Sequence, residues 1–219
     1  MTREPGPSPG TSPRTWPTAA IFDFDGLLVD TALCWHDAYD RSLTRDGRLI
    51  QSEVQASLAG ASVAQAAARL GVTEGDLRID LRKAFEARNP TLMPGARELI
   101  AKLRHKVALA IATNAPEELV RSTLDNRGLA RTFASIVSAD TTPHREKPEP
   151  DVYASACREL GVDPSDAVAF EDSPIGALAA IRAGVAVVYV PSDGQVCDGI
   201  SLLVNHLGDP RLLTFLGDL

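Results

Sequence analysis

The chain has 219 residues, enough for one sizeable domain or a domain carrying an insertion. Hydrophobic residues make up 44% and charged residues 23%, an ordinary soluble balance, and a net charge of −7 argues against a nucleic-acid partner, which would call for a basic face. No apolar run approaches the ~18 residues of a membrane span, and Cys34, Cys157 and Cys197 have no metal or redox spacing, so buried free thiols in a reducing cytoplasm are expected.

Residues 1–17 are rich in proline and poor in apolar side chains. They are expected to form a disordered tail, with neither the PxxP pattern nor the apolar centre of a signal peptide. Ala19 to Phe24 then reads as a buried strand. It runs into Asp23 and Asp25, followed at once by a glycine turn at Gly26. Burying even one unpaired charge is costly, so this pair belongs at the strand's carboxyl end beside a cation. The spacing suits phosphoryl transfer, with Asp23 as nucleophile, Asp25 as acid/base, and Mg2+ between carboxylates and phosphate.

A helical stretch follows. Ala32 to Asp46, Ser62 to Leu70 and Glu74 to Ala87 carry apolar residues at helical spacing, and no convincing strand occurs between Leu33 and Leu92. This predicts an all-helical insertion. From Pro94 onward strand and helix alternate: helix Ala96–His105, strand Val107–Ala112, helix Pro116–Asn126, strand Ser135–Ser138, helix Pro150–Leu160, strand Ala167–Phe170, helix Pro174–Ala183 and strand Val185–Val190. That alternation predicts an α/β fold with a doubly wound, Rossmann-like parallel sheet. A small edge strand at Leu202–Val204 and a last helix complete the chain.

Ligands of open parallel sheets bind beyond the strands' carboxyl ends. Those ends carry Asp23 and Asp25, then Thr113 and Asn114, then Asp140 with Lys147 a few residues on, then Glu171, Asp172 and Ser173. Four acids, a hydroxyl, an amide and a lysine make a cation site with a phosphate-binding rim. Each has an ordinary reading when taken alone. Asp23 and Asp25 could be solvated turn acids, and Thr113 a cap. Lys147 could be a surface lysine, and the Glu171–Asp172 pair a cap for the next helix. Asp30 reads as a hinge residue or a helix N-cap, Asp140 as an outer-shell group or a loop acid, and Trp35 as a substrate-facing or packing residue. His36, His105, His144 and His206 show no ligand spacing.

The ordered set resembles the haloacid dehalogenase superfamily, in its β-phosphoglucomutase-like branch. Asp23-Phe24-Asp25-Gly26 matches the first motif, Thr113 the second, Lys147-Pro148-Glu149-Pro150-Asp151 the third, and Phe170-Glu171-Asp172-Ser173-Pro174 the fourth. The resemblance covers about residues 18–190. It implies a catalytic core of residues 18–32 and 93–219 and a helical cap of residues 33–92. It implies that Asp23 forms an aspartyl-phosphate while Asp25 transfers protons. Mg2+ would be held by Asp23, the Asp25 backbone carbonyl, Asp172 and Glu171, the last directly or through water. Thr113, Asn114 and Lys147 would grip the phosphate. Gly60-Ala61-Ser62 matches a cap loop that touches substrate in the family, or is simply a helix start capped by Ser62.

Family members that cleave carbon–halogen bonds lack the second aspartate and the metal, so Asp25 and the Glu171–Asp172 pair point away from dehalogenation. The mutases carry arginine where this chain has Val63, and many relatives carry glutamate where it has Ala32. Arg69, Arg78, Arg82, Lys83 or Arg88 could replace that arginine, or be helix-surface charge. The implied activity is an Mg2+-dependent phosphatase of a small phosphorylated metabolite, a sugar phosphate or similar monoester. The alternatives are a β-phosphoglucomutase-type mutase and a non-catalytic phosphate-ligand sensor. A monomer or weak homo-oligomer without membrane or nucleic-acid partners is expected.

Overall fold

The computed structural model describes residues 17–141, 145–191 and 197–217. The expected disordered tail therefore lies outside the described residues apart from Pro17, and so does His144.

Six strands form one parallel sheet: β1 (Ala19–Phe22), β2 (Ala108–Thr113), β3 (Ser135–Ser138), β4 (Ala167–Glu171), β5 (Ala186–Tyr189) and β6 (Leu202–Leu203). Their order is β3-β2-β1-β4-β5-β6, with each neighbouring pair parallel. β1 is central and buried along its whole length, which is why it reads as a continuous apolar run rather than an alternating one. Alternate residues face opposite sides. Ala20 and Phe22 join the core on one face, and Ala19 and Ile21 the core on the other.

The two faces are packed differently. On one, Ala19, Ala110 and Ala169 of the sheet meet Ala156 of α7 (Asp151–Leu160) and Ala177 and Ala180 of α8 (Pro174–Arg182). Small side chains on both partners let these helices lie close to the strands. On the other face, the Phe22 and Phe170 rings stack with centroids 4.6 Å apart. That pair joins β1 to β4, whose register sets Phe22 opposite Phe170.

Four of the five helices between β1 and β2 fall within residues 32–88: α1 (Ala32–Thr44), α2 (Ser52–Ala56), α3 (Val63–Leu70) and α4 (Glu74–Arg88). Their boundaries follow local chemistry. Ser62 and Gln65 form a reciprocal capping box, Thr73 caps α4, and Gly71 and Asn89 close α3 and α4 in the left-handed region. Between α1 and α4 the buried Asp80 carboxylate accepts from Ser42 Oγ at 2.7 Å and Arg45 Nη2 at 2.5 Å. Helix α2 is absent from the pattern read in the sequence because none of its five residues is buried. Asp30 is not the N-cap of α1. Thr31 holds that position, while Asp30 is exposed and its backbone N–H donates to Thr91 O at 2.9 Å. The outgoing and returning segments run side by side, with Val29 bridging Leu92.

The remaining helices, α5 (Ala96–Leu103), α6 (Glu117–Asn126) and α9 (Arg211–Phe215), complete the layers. Among the described residues no helix is long and apolar enough to cross a membrane. Cys34 and Cys157 are buried thiols outside any disulfide.

The Phe22–Phe170 stack aligns the two strands that carry the acidic motifs, and both rings are fully buried. Phe170→Ala is expected to cost about 3–5 kcal/mol in urea unfolding. A loss below about 1 kcal/mol would show that the strand pair does not depend on this contact.

Candidate active site

Strand order brings the first and fourth motifs together. With Phe22 opposite Phe170, the next residues, Asp23 and Glu171, emerge at the same level of the sheet. Lys147 reaches between them. Its Nζ donates to Asp23 Oδ1 and to Glu171 Oε1, both at 2.6 Å. Glu171 is fully buried and Lys147 almost so. Tyr153 from α7 donates its hydroxyl to Glu171 Oε1 at 2.5 Å, and its ring lies 5.1 Å from Lys147 Nζ, within cation–π range. Ser173 donates to Glu171 Oε2 at 3.3 Å and also caps α8.

One oxygen from each of Asp23, Glu171 and Asp172 lies within 4.8 Å of the others. One ammonium cannot balance three crowded carboxylates. Burial pushes Asp23 up to about 7; Lys147 opposes this, while Glu171 and Asp25 add to it. Burial, then Asp23 and Glu171, drives Asp172 well above the usual carboxylate range. Burial works against the Lys147 charge too, but Asp23 and Glu171 outweigh it and raise its pKa. Closely spaced, oxygen-only donors with surplus negative charge fit a hard divalent cation such as Mg2+. The turn is shaped for this approach. Gly26 sits at φ +74°, and a Cβ there would lie 2.3 Å from Asp172 Oδ2.

Asp25 lies apart from this cluster. Its Oδ1 accepts from Trp35 Nε1 at 3.0 Å, and Thr31 also hydrogen-bonds to the carboxylate. Burial raises its pKa, against those two donors and Lys147. It is partly exposed and borders a cleft of about 220 Å3, which also takes in Asp172, Trp35, Tyr39 and Gly60. Trp35 thus faces the site rather than only packing.

The remaining candidates are spread over neighbouring positions. Thr113 is buried, and its Oγ1 accepts from Ala115 N at 3.0 Å. Asn114 donates from Nδ2 to Gly60 O at 2.8 Å and accepts from Lys147 N at 3.0 Å. It therefore links the helical insertion to the lysine's own backbone. Ser62 does not border the main cleft. It caps α3, donates to Glu146, and lines a separate polar cavity of about 170 Å3 with Asn114 and Glu146. Asp140 pairs with Arg78 of α4. Residues that sequence reasoning missed include Tyr153, Glu146 and Ser138, whose hydroxyl donates to Ala115 O at 2.6 Å. Their partners lie many positions away in the chain, and only the tertiary fold places them. Ser173 is legible in the sequence only as part of a motif.

The family model of haloacid dehalogenase-like hydrolases matches residues 20–190. The chain is 33% identical over 203 residues to validoxylamine A 7'-phosphate phosphatase of Streptomyces hygroscopicus subsp. limoneus, a match covering 88% of this chain and 95% of that protein. It is 33% identical over 192 residues to phosphoglycolate phosphatase of Rhodospirillum rubrum, covering 80% and 79%. Among solved structures, CbbY from Rhodobacter sphaeroides in complex with phosphate superimposes with a TM-score of 0.79 at 26% identity, covering 88% of this chain and 95% of that one. Fold, motif order and sequence similarity agree: the chain belongs to the haloacid dehalogenase-like hydrolase family.

Proposed function

We propose that the chain is an Mg2+-dependent phosphatase that hydrolyses a small phosphorylated metabolite, probed best among sugar phosphates, through an aspartyl-phosphate on Asp23. The observation that carries this reading is the placement of Asp23. Its carboxylate is buried against Lys147 at 2.6 Å, while Asp25, two residues on, faces an open cleft. The relatives named as phosphatases support the reaction class.

Asp23 attacks phosphorus, and the bond to the leaving oxygen breaks. Asp25, whose pKa is raised by burial, gives its proton to that oxygen. Asp25 then accepts a proton from the water that attacks the aspartyl-phosphate, the phosphorus–Asp23 bond breaks, and phosphate leaves. Lys147 holds the nucleophile in place and offsets the charge of the incoming phosphate. Thr113, the last residue of β2, and Asn114 after it would border the phosphate. Asp23, the Asp25 carbonyl, Asp172 and Glu171 would hold Mg2+, which when bound neutralises charge on the transferring phosphoryl group.

The helices of residues 33–92 are assigned as a cap over the core of residues 18–32 and 93–219. The bonds from Trp35 to Asp25 and from Asn114 to Gly60, with the one from Ser62 to Glu146, support this division. Gly60 lines the cleft and Ser62 the separate polar cavity, which supports reading Gly60-Ala61-Ser62 as the cap loop near substrate. Thiols outside any disulfide suit a reducing cytoplasm.

Three experiments bear on the reading. Asp23→Asn should lower Mg2+-dependent phosphate release by roughly 10^4-fold or more, and full retention of activity would sink the nucleophile assignment. The second uses thermal unfolding. The folded Asp23 pKa of about 7 lies above the ordinary 3.8, so the folded chain binds more protons than the unfolded chain in that window. Without metal, stability should therefore fall as pH rises from about 4 to 7, with Asp172 acting in the same direction. Mg2+ competes with those protons, so its stabilisation should be larger at pH 8 than at pH 5. An equal or absent Mg2+ effect at both pH values would remove the metal from this site. The third concerns Trp35, whose hydrogen bond lowers the Asp25 pKa. Trp35→Phe should move the alkaline limb of the kcat/KM profile, set by protonated Asp25, to higher pH. An unmoved limb would show that Asp25 does not set it.

A further inference from the structure

We propose that the cleft selects phosphate monoesters whose leaving group is compact, uncharged and apolar on one face, and that it rejects leaving groups bearing a second anion. This rests on the phosphatase reading above and adds to it the substrate class.

The walls of the cleft carry the argument. Trp35 and Tyr39, with ring centroids 5.8 Å apart, line it together with Leu58 and Ala61. These offer an apolar surface suited to the flat or hydrocarbon face of a ring. Gln55 supplies a neutral hydrogen-bonding group for hydroxyls. The volume of about 220 Å3 is below the ~300–1,000 Å3 typical of drug-sized sites, which favours a leaving group on the scale of a single sugar or polyol.

Charge decides against a second anion. Among the described residues, no lysine or arginine lines the cleft, whereas Asp25 and Asp172 do. Among the described lining residues His36 also carries a basic nitrogen, and its Nδ1 lies 3.2 Å from an Asp40 carboxylate oxygen. Three cations of the helical insertion are committed elsewhere, and Arg82 lines a different cavity. Arg69 donates to Ser57 O, Arg78 pairs with Glu74 and Asp140, and Arg88 grips Asp37 through two bonds of 2.6 and 2.7 Å. Lys147 is held by Asp23 and Glu171 at the reacting end. Val63, the first residue of α3, is buried and offers no charge. A carboxylate or second phosphate on the leaving group would lose water and find no lysine or arginine among the described lining residues to replace it. Similarity of sequence does not choose between these classes, because relatives of equal identity are named for different substrates.

The test uses the full chain with Mg2+. kcat/KM is measured for p-nitrophenyl phosphate as a general readout of the chemistry. It is then measured for a hexose 1-phosphate and a hexitol phosphate as uncharged leaving groups, and for phosphoglycolate and a hexose 1,6-bisphosphate as anionic ones. The uncharged pair should exceed the anionic pair by about 10-fold or more, the scale of one unfavourable charge contact at a partly exposed site. Equal or better turnover of the anionic pair, with p-nitrophenyl phosphate hydrolysed, would overturn the selectivity and leave the phosphatase reading standing. No phosphate release from any of the five would overturn both. Gln55→Arg then places a cation in the wall. The uncharged-to-anionic ratio should shrink by about 10-fold, and an unchanged ratio would refute charge as its cause.

Discussion

The position of Lys147 between Asp23 and Glu171 is the constraint on which the rest of the site depends. The lysine lies 124 residues from the first carboxylate and 24 from the second, and it is almost fully buried. A buried ammonium is tolerated only where its donors are met. Here two carboxylates meet it, while Tyr153 adds its ring to the lysine and its hydroxyl to Glu171. The arrangement is a poor way to gain stability, because desolvating several charges costs about as much as their attraction returns. It is a good way to hold the Asp23 carboxylate, the proposed nucleophile, in one orientation. It also leaves negative charge in excess, which adds to burial in raising the Asp23 and Asp172 carboxyls above the usual range.

The sheet makes that constraint possible. β1 and β4 are far apart in the chain but adjacent in space, and their register puts Asp23 and Glu171 level. The alanine-rich face lets α7 and α8 approach closely. α7 brings Tyr153, and α8 begins beside Glu171 with Ser173 as its cap. At Gly176 a Cβ would lie 2.0 Å from Glu171 Oε1, so the helix can pass the carboxylate only because that residue has no side chain. Small residues thus act at two scales, across the helix–sheet interface and in the first turn of α8.

Much of this was legible from the chain alone, and the reason differs by element. β1, β2 and β4 are central and buried, so their composition carries the signal undiluted. α3 announces itself through Ser62 in its cap position, whereas the reciprocal bond to Gln65 and the Thr73 cap of α4 appear only in the structure. By contrast α2 buries no side chain and leaves no periodic trace. Asp30 resembles a cap by type, but the backbone turns one residue later, at Thr31. Site residues that abut a strand end, such as Asp23, Thr113 and Glu171, follow from topology. Tyr153 and Glu146 do not, because a tyrosine on an amphipathic helix and a glutamate in a charged loop are common in any protein. Asn114 was legible as a strand-end residue, but its commitment to Gly60 O and Lys147 N depends on how a loop of the insertion lies against the core.

The division of labour between the two parts of the chain follows from where their constraints come from. The groups around Asp23 are fixed by the sheet, by a buried charge network and by helices that cannot move without opening the core. A change to any of them disturbs several partners at once. The cleft walls are different. Trp35, Tyr39, Gln55 and Leu58 come from one helix, a short helix and the turn after it, and Gln55 is only partly buried and touches no part of that network. Such positions can change singly, each altering what the cleft accepts while leaving the buried charges in place. A family built this way keeps its reaction while its members diverge in substrate. For this chain, the proposed specificity therefore rests on the apolar wall of Trp35, Tyr39, Leu58 and Ala61 rather than on the motifs that identify the fold.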